Sequence, residues 1–162
     1  MVFVVNDNLK ERLSGVTSSS STQGDELIII NMENQRKKHA KENELIQYFL
    51  INKEIQMGKG KVAAQVAHAA TMYTYTVLNN RKSQYGEEHP DLAGFLEWYS
   101  GIQKKIILKA PQEMLERLEA KGYITVRDCG YTQIPENTLT VVTLGVVSRD
   151  SVSNITTGLS LL

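Results

Sequence analysis

Apolar residues along this chain switch between two spacings, and each switch marks an element. The short apolar run at residues 48–51, "YFLI", predicts a buried strand. After the glycine-rich "MGKG", helical spacing continues to residue 82, which predicts a long helix over residues 57–82 with Val62, Val66, Ala69, Tyr73 and Val77 on its packing face. Residues 89–101, "HPDLAGFLEWYSG", predict a second helix that opens near Pro90, carries Leu92, Phe95, Leu96 and Tyr99 on one stripe, and stops at Gly101. "KKIILKA", residues 104–110, predicts a strand. "PQEMLERLEAKG", residues 111–122, predicts a helix with Met114, Leu115 and Leu118 inward and Gly122 as its stop. Residues 123–128 and 139–147 are β-branched strand runs, and 148–158 read as a weak short helix.

The order βααβαββα predicts an α/β class: a single three-layer α/β/α domain with a small mixed β-sheet flanked by helices. Short connections restrict the last two strands to a hairpin or near-hairpin. Residues 1–45 differ from the rest. Residues 14–24 are Ser-rich and low in complexity, and residues 33–44 form a charge run without an apolar stripe. We therefore expect a flexible N-terminal extension over 1–45, with room for a protein partner, and a folded domain over 46–162. The basic cluster Arg36, Lys37, Lys38 and Lys41 is interleaved with Glu33, Glu42 and Glu44, so a solvated face competes with an RNA-contacting arm.

Charge changes the picture in one respect. The 18 basic residues balance 18 acidic ones, so no overall field draws the molecule onto a polyanion, and any such binding must come from a local patch. Cys129 is the single cysteine, which excludes an internal disulfide, and His39, His68 and His89 lack metal-ligand spacing, so no metal is expected. No apolar run approaches the roughly 20 residues that span a bilayer, and the N-terminal "MVFVV" lacks the basic region of a secretory signal. The expectation is a soluble, cytoplasmic protein.

Two constellations carry candidate chemistry. A glycine-rich turn running into a helix N-terminus suits an oxyanion, because unpaired backbone N–H groups and the helix dipole point there. Gly58 and Gly60 supply the turn, and Lys59 and Lys61 add charge; the spacing of a Walker loop is absent, which excludes that class of NTPase. Lys61, Gln65 and His68 share one helical face, directed either to water or to a pocket. The second constellation is residues 127–140, "RDCGYTQIPENTLT". Asp128 ends a strand, Gly130 permits a turn, and Thr132, Gln133, Thr138 and Thr140 follow; a carboxylate with nearby hydroxyls can position a water or a substrate hydroxyl. Ordinary turn chemistry is the competing explanation. Side chains 128 and 129 point to opposite faces if the strand continues, which makes Cys129 a packing residue when Asp128 faces a site.

Taken together, "MGKGKVAAQVAHAA", "GIQKKIILKA", "RDCGYTQI", "TLTV" and "ITTGLSLL" resemble the peptidyl-tRNA hydrolases of archaea and eukaryotes, over residues 48–162. The resemblance implies hydrolysis of the ester joining a peptide to the 3′ ribose of tRNA, by a homodimeric α/β enzyme that needs no metal or organic cofactor. Carried over by motif, it implies a catalytic role for Lys61, His68, Asp128, Thr132 and Thr140, and substrate contacts from Gln65 and Lys109. Asp128 would orient and partly deprotonate the attacking water, Thr132 and Thr140 would hold substrate or water, Lys61 would stabilise the oxyanion or bind a terminal phosphate, and His68 would carry a proton or buttress Lys61. After the extension, 12 basic residues face 11 acidic ones, so tRNA binding should be modest and local, with Lys59, Lys104 and Lys105 as phosphate contacts unless the last two only solvate a strand start. Three departures stand out. "LGVV" replaces a glycine-rich stretch at residues 144–147, "EN" replaces Pro-Gly at 136–137, and Asn52 and Glu54 stand where the family carries Arg and Asp. These keep open a non-catalytic module that retains the fold and binds RNA or protein.

Overall fold

The computed structural model describes residues 43–79 and 89–162. The expectations for residues 1–42, and for the continuation of the first helix over 80–82, lie outside the described residues. The elements are β1 (Leu45–Asn52), α1 (Lys59–Asn79), α2 (Leu92–Ser100), β2 (Lys105–Ala110), α3 (Gln112–Ala120), β3 (Ile124–Asp128), β4 (Thr138–Ser148), a 3-10 turn (Asp150–Val152), α4 (Ser153–Thr156) and β5 (Ser160–Leu161). The strands form one mixed sheet in the order β3-β4-β1-β2-β5, with β1 and β2 parallel and the other pairings antiparallel. β5 pairs through Leu108 with Leu161 and Lys109 with Ser160. Two residues carry no detectable alternation, so periodicity had no means of finding it.

The two faces of β1 explain the layers. Ile46, Tyr48 and Leu50 point to one side, where Leu115 and Leu118 of α3 and Val152 close the core. Phe49 and Ile51 point to the other side, against Ala69 of α1, while Tyr73, Val77, Leu92, Phe95 and Trp98 join α1 to α2 nearby. The buried stripe of α2 is Leu92, Phe95 and Trp98; Leu96 and Tyr99 of the predicted stripe are exposed. Trp98 wins the inward position because its indole N–H finds the Lys104 carbonyl at 2.9 Å, satisfying its one polar atom. α3 ends as expected: Gly122 adopts φ +86, and the Tyr123 N–H returns to the Leu118 carbonyl.

β4 is irregular at two places, and each shifts a residue out of the regular ladder. Opposite β1 the register skips Leu144, between Gly145 paired with Tyr48 and Thr143 paired with Phe49. Gly145 has φ +80, and a Cβ there would stand 2.7 Å from the Tyr73 ring. The Tyr73 hydroxyl in turn accepts the Val146 N–H at 3.0 Å and donates toward Asp91 at 3.3 Å; burial pushes this phenol up to about 12. Within "LGVV", Gly145 is the residue whose missing Cβ permits this close approach. Opposite β3 the register skips Thr140, between Val141 paired with Val126 and Leu139 paired with Arg127.

Gly145→Ala is expected to cost roughly 2–4 kcal/mol of stability, from left-handed strain plus overlap with Tyr73. Urea unfolding checks it, and a loss under about 0.5 kcal/mol, the usual range for an inconsequential surface change, would contradict the packing described.

Candidate active site

β1, β2 and β3 all end at the same edge of the sheet, and α1 begins there, the place where open α/β sheets leave a crevice. Asn52 fixes the exit of β1: its side-chain amide donates to the Leu139 carbonyl at 2.9 Å, and its Oδ1 accepts the Glu54 N–H. Glu54 accepts the Gln112 N–H at the start of α3. Both departures from the resembled pattern therefore serve the scaffold. The turn between β1 and α1 is tied across the crevice by the Gly58 N–H, which donates to Gln133 Oε1 at 3.1 Å.

Lys61, in the first turn of α1, reaches Asp128 at the end of β3, with Nζ 2.5 Å from Oδ2 and side-chain exposures of 12% and 5%. Its other protons point to the carbonyl and hydroxyl oxygens of Thr132, at 3.3 and 3.4 Å. Gln65, one turn along α1, donates to the same Asp128 Oδ2 at 2.8 Å. The Gly130 N–H donates to Oδ1 at 2.8 Å. A carboxylate offers about four lone-pair positions; among the described residues three find donors and one, on Oδ1, does not. The Lys61 ammonium holds the Asp128 carboxyl below its ordinary range; burial opposes this, while the Gly130 and Gln65 donors reinforce it.

Behind this pair lies Thr140, the residue that the β4 bulge leaves without a partner. The bulge turns its side chain under α1, where the hydroxyl is 2.7 Å from Gln65 Oε1 and 2.9 Å from the Val126 carbonyl. Thr140 is fully buried. It sets the orientation of the Gln65 amide and has no surface to offer a substrate.

The helix face expected to carry Lys61, Gln65 and His68 is thus divided. Gln65 belongs to the buried stripe with Ala69, Tyr73 and Val77, whereas His68 is exposed and no described side chain hydrogen-bonds to it. Thr132 and Gln133 lie on the loop that faces α1, and Thr138 donates to the Pro135 carbonyl within that loop. Gln133 and Asn137 adopt φ +62 and +63, so "EN" supports the left-handed turn that Pro-Gly would otherwise make. Lys59, the first residue of α1, is exposed, and Gly60 follows it in the first turn.

Lys109 is exposed near the crevice end of β2, beside Ile51. Lys105 sits four residues, roughly 13 Å, back along β2. Its ammonium lies 4.6 Å from the Trp98 ring centroid, and Lys104 pairs with Glu44 at 2.6 Å. The fold does not bring these two to Asp128. Cys129 is exposed rather than packed: the β3 ladder ends at Asp128, so strand alternation no longer governs residue 129. Sequence spacing missed the Gly130 N–H, since a backbone donor leaves no trace in residue type beyond the glycine that permits its turn.

Residues 45–162 match the family described as Peptidyl-tRNA hydrolase PTH2. The chain is similar to proteins named peptidyl-tRNA hydrolase from three archaea. With that of Staphylothermus marinus it is 32% identical over 123 residues, covering 72% of this chain and 93% of the relative. With that of Haloquadratum walsbyi it is 34% identical over 122 residues, covering 71% and 97%. With that of Sulfurisphaera tokodaii it is 33% identical over 120 residues, covering 70% and 94%.

Because the Asp128 pKa is depressed in the folded state, its pairing contributes stability above the ordinary carboxylate range, and that contribution is lost as pH falls through the lowered value. In Lys61→Met the Asp128 carboxyl carbon should titrate at higher pH than in the wild type. Carbon-13 NMR reads this directly, and coincident titration curves would rule the pairing out.

Proposed function

The chain belongs to the peptidyl-tRNA hydrolase PTH2 family, and we propose that it hydrolyses the ester of peptidyl-tRNA in the crevice between the start of α1 and the end of β3. One observation carries the assignment of the site: a nearly buried Lys61–Asp128 pair in which the described residues leave one carboxylate lone pair without a donor.

The attacking water accepts its position from Asp128 Oδ1. Since the carboxyl is acidified, it aligns the water and takes up proton character chiefly in the transition state, as a base of lower pKa does. The water oxygen forms a bond to the ester carbonyl carbon. The carbonyl oxygen becomes an oxyanion beside the Lys61 ammonium and the amides of Lys59, Gly60 and Lys61, which have no acceptor within the helix. Lys61 can turn one N–H from its long Thr132 contacts to that oxygen without leaving Asp128. Collapse breaks the bond to the ribose oxygen, which leaves with the proton that the water gave up; peptide acid and tRNA are released. Thr132, exposed at the rim, holds the substrate, and Gln65 and Thr140 position the carboxylate. His68 takes no part in the chemical step.

The substrate is an RNA, and exposed Lys59 and Lys109 flank the crevice as phosphate contacts. We assign homodimer formation to the α1 side of the sheet. There Phe49 and Ile107 floor an apolar groove beside Val66 and Ala67, and Met72, Tyr75 and Tyr99 are exposed nearby. Gln47, at the foot of the adjoining groove between α1 and α2, is buried with a side-chain amide N–H lacking any acceptor among the described residues. No described helix is long and apolar enough to cross a membrane.

Purified protein should release the N-acetylated amino acid from N-acetyl-aminoacyl-tRNA, and Asp128→Asn should lower kcat by roughly 10²–10⁴. Thr140→Val should lower kcat with KM little changed, whereas His68→Ala should cost less than about fivefold, under the scale of a lost proton-transfer group. Binding of tRNA without turnover would overturn the hydrolase reading, and a fully active Asp128→Asn protein would overturn its mechanism. Ala67→Glu should convert a dimer to a monomer in light scattering coupled to size exclusion; a wild-type monomer at micromolar concentration would refute the assigned interface.

A further inference from the structure

The loop from Cys129 to Asn137 is tied by hydrogen bonds at several positions along its length. The Gly130 N–H binds Asp128 Oδ1, the Asn137 N–H binds the Asp128 carbonyl at 2.7 Å, the Ile134 N–H binds the Thr132 carbonyl at 2.7 Å, and Gln133 accepts from Gly58. Ile134 is buried beneath it. Gly130 has φ +77, where a Cβ would stand 2.7 Å from the Glu136 backbone. On this pinned backbone Tyr131 projects with 89% of its surface exposed, the most open large hydrophobic side chain among the described residues. An aromatic ring held in water by an ordered loop gains nothing from packing, yet it loses little further freedom when a flat ligand covers it.

Its place in the chain gives the ligand. Tyr131 directly precedes Thr132, whose carbonyl and hydroxyl hold Lys61 against Asp128. An ester at Asp128 sits on the ribose of the last nucleotide, and one glycosidic bond separates that ribose from its base. We propose that Tyr131 is the stacking platform for the nucleobase at the 3′ end of the tRNA, an inference that rests on the hydrolase function proposed above. Ring-on-base stacking reads a π-face rather than a hydrogen-bond pattern, which suits a terminal adenosine common to all tRNAs. The neighbours Cys129, Gly130 and Thr132 build no apolar wall around the ring, so a peptide side chain would find one face and no pocket.

The test uses a short RNA carrying an N-acetylated aminoacyl ester on its 3′ nucleotide, made with a terminal adenosine or with an abasic ribose, and with acetylglycyl or acetylphenylalanyl as the acyl group. Tyr131→Ala should raise KM on the adenosine substrate roughly 5- to 20-fold, the weaker part of the range for loss of one base stack, with kcat within about twofold. Wild type and variant should converge on the abasic substrate, and Tyr131→Phe should behave as wild type. Equal loss on both RNAs, no loss on either, or a loss that follows the acyl group would each overturn the proposal. If wild type cleaves neither RNA, the hydrolase reading itself falls; if wild type cleaves and the variant matches it, only the stacking role falls.

Discussion

The ion pair between Lys61 and Asp128 is the constraint around which the rest of the molecule is arranged. It joins the first turn of a helix to the last residue of a strand, and both partners are almost out of water. Removing a charge from water costs several kcal/mol unless further hydrogen bonds complete its shell. Gln65 and the Gly130 N–H add to the shell of the carboxylate, and Thr132 to that of the ammonium. Among the described residues this shell leaves one acceptor position open, on Oδ1.

That shell exists because two strands are not regular. Were β3 and β4 paired without a bulge, Thr140 would take its turn in the ladder and Gln65 would face an apolar wall. The skipped residue instead lends its hydroxyl to the Gln65 carbonyl oxygen, which leaves the amide N–H₂ no orientation but toward Asp128. The following turn uses left-handed backbone at Gly130, Gln133 and Asn137 to bring the chain back over the end of β3. Strained backbone and a bulge beside a buried carboxylate are the same device seen twice: local irregularity places side chains where regular pairing cannot.

The opposite irregularity, at Gly145, serves the frame. By letting the Tyr73 ring touch the backbone of β4, it seats α1 against the sheet, and the Tyr73 hydroxyl satisfies the Val146 amide that the bulge releases. Since α1 carries both Lys61 and Gln65, its height above the sheet sets the depth of the crevice. Farther along, α1 and β2 leave an apolar groove uncovered by any described helix, so the face that seats the helix carrying Lys61 continues into the face proposed for a second copy.

The element order up to α4 was legible in the sequence, because apolar periods of two and about 3.6 report which side of each segment is dry. Lys61, Gln65, Asp128 and Thr132 were legible as chemistry, because few residue types combine a glycine turn, a cation and a strand-end carboxylate at those spacings. Their partnerships were not. Helical spacing put His68 with Lys61 and Gln65, yet it cannot tell that Gln65 faces the sheet while His68 faces solvent, since a row seven residues long winds across the boundary between the two. Strand alternation buried Cys129, one residue beyond the point where the ladder stops. It also gave no reason to lift Thr140 out of register. Periodicity is a property of regular segments, so the sequence by itself determined layers, order and candidate groups. Only the tertiary structure decided which groups meet, because the bulge, the turn and the helix seat are each settled by contacts between residues more than 60 positions apart, such as Gln65 with Asp128 and Thr140.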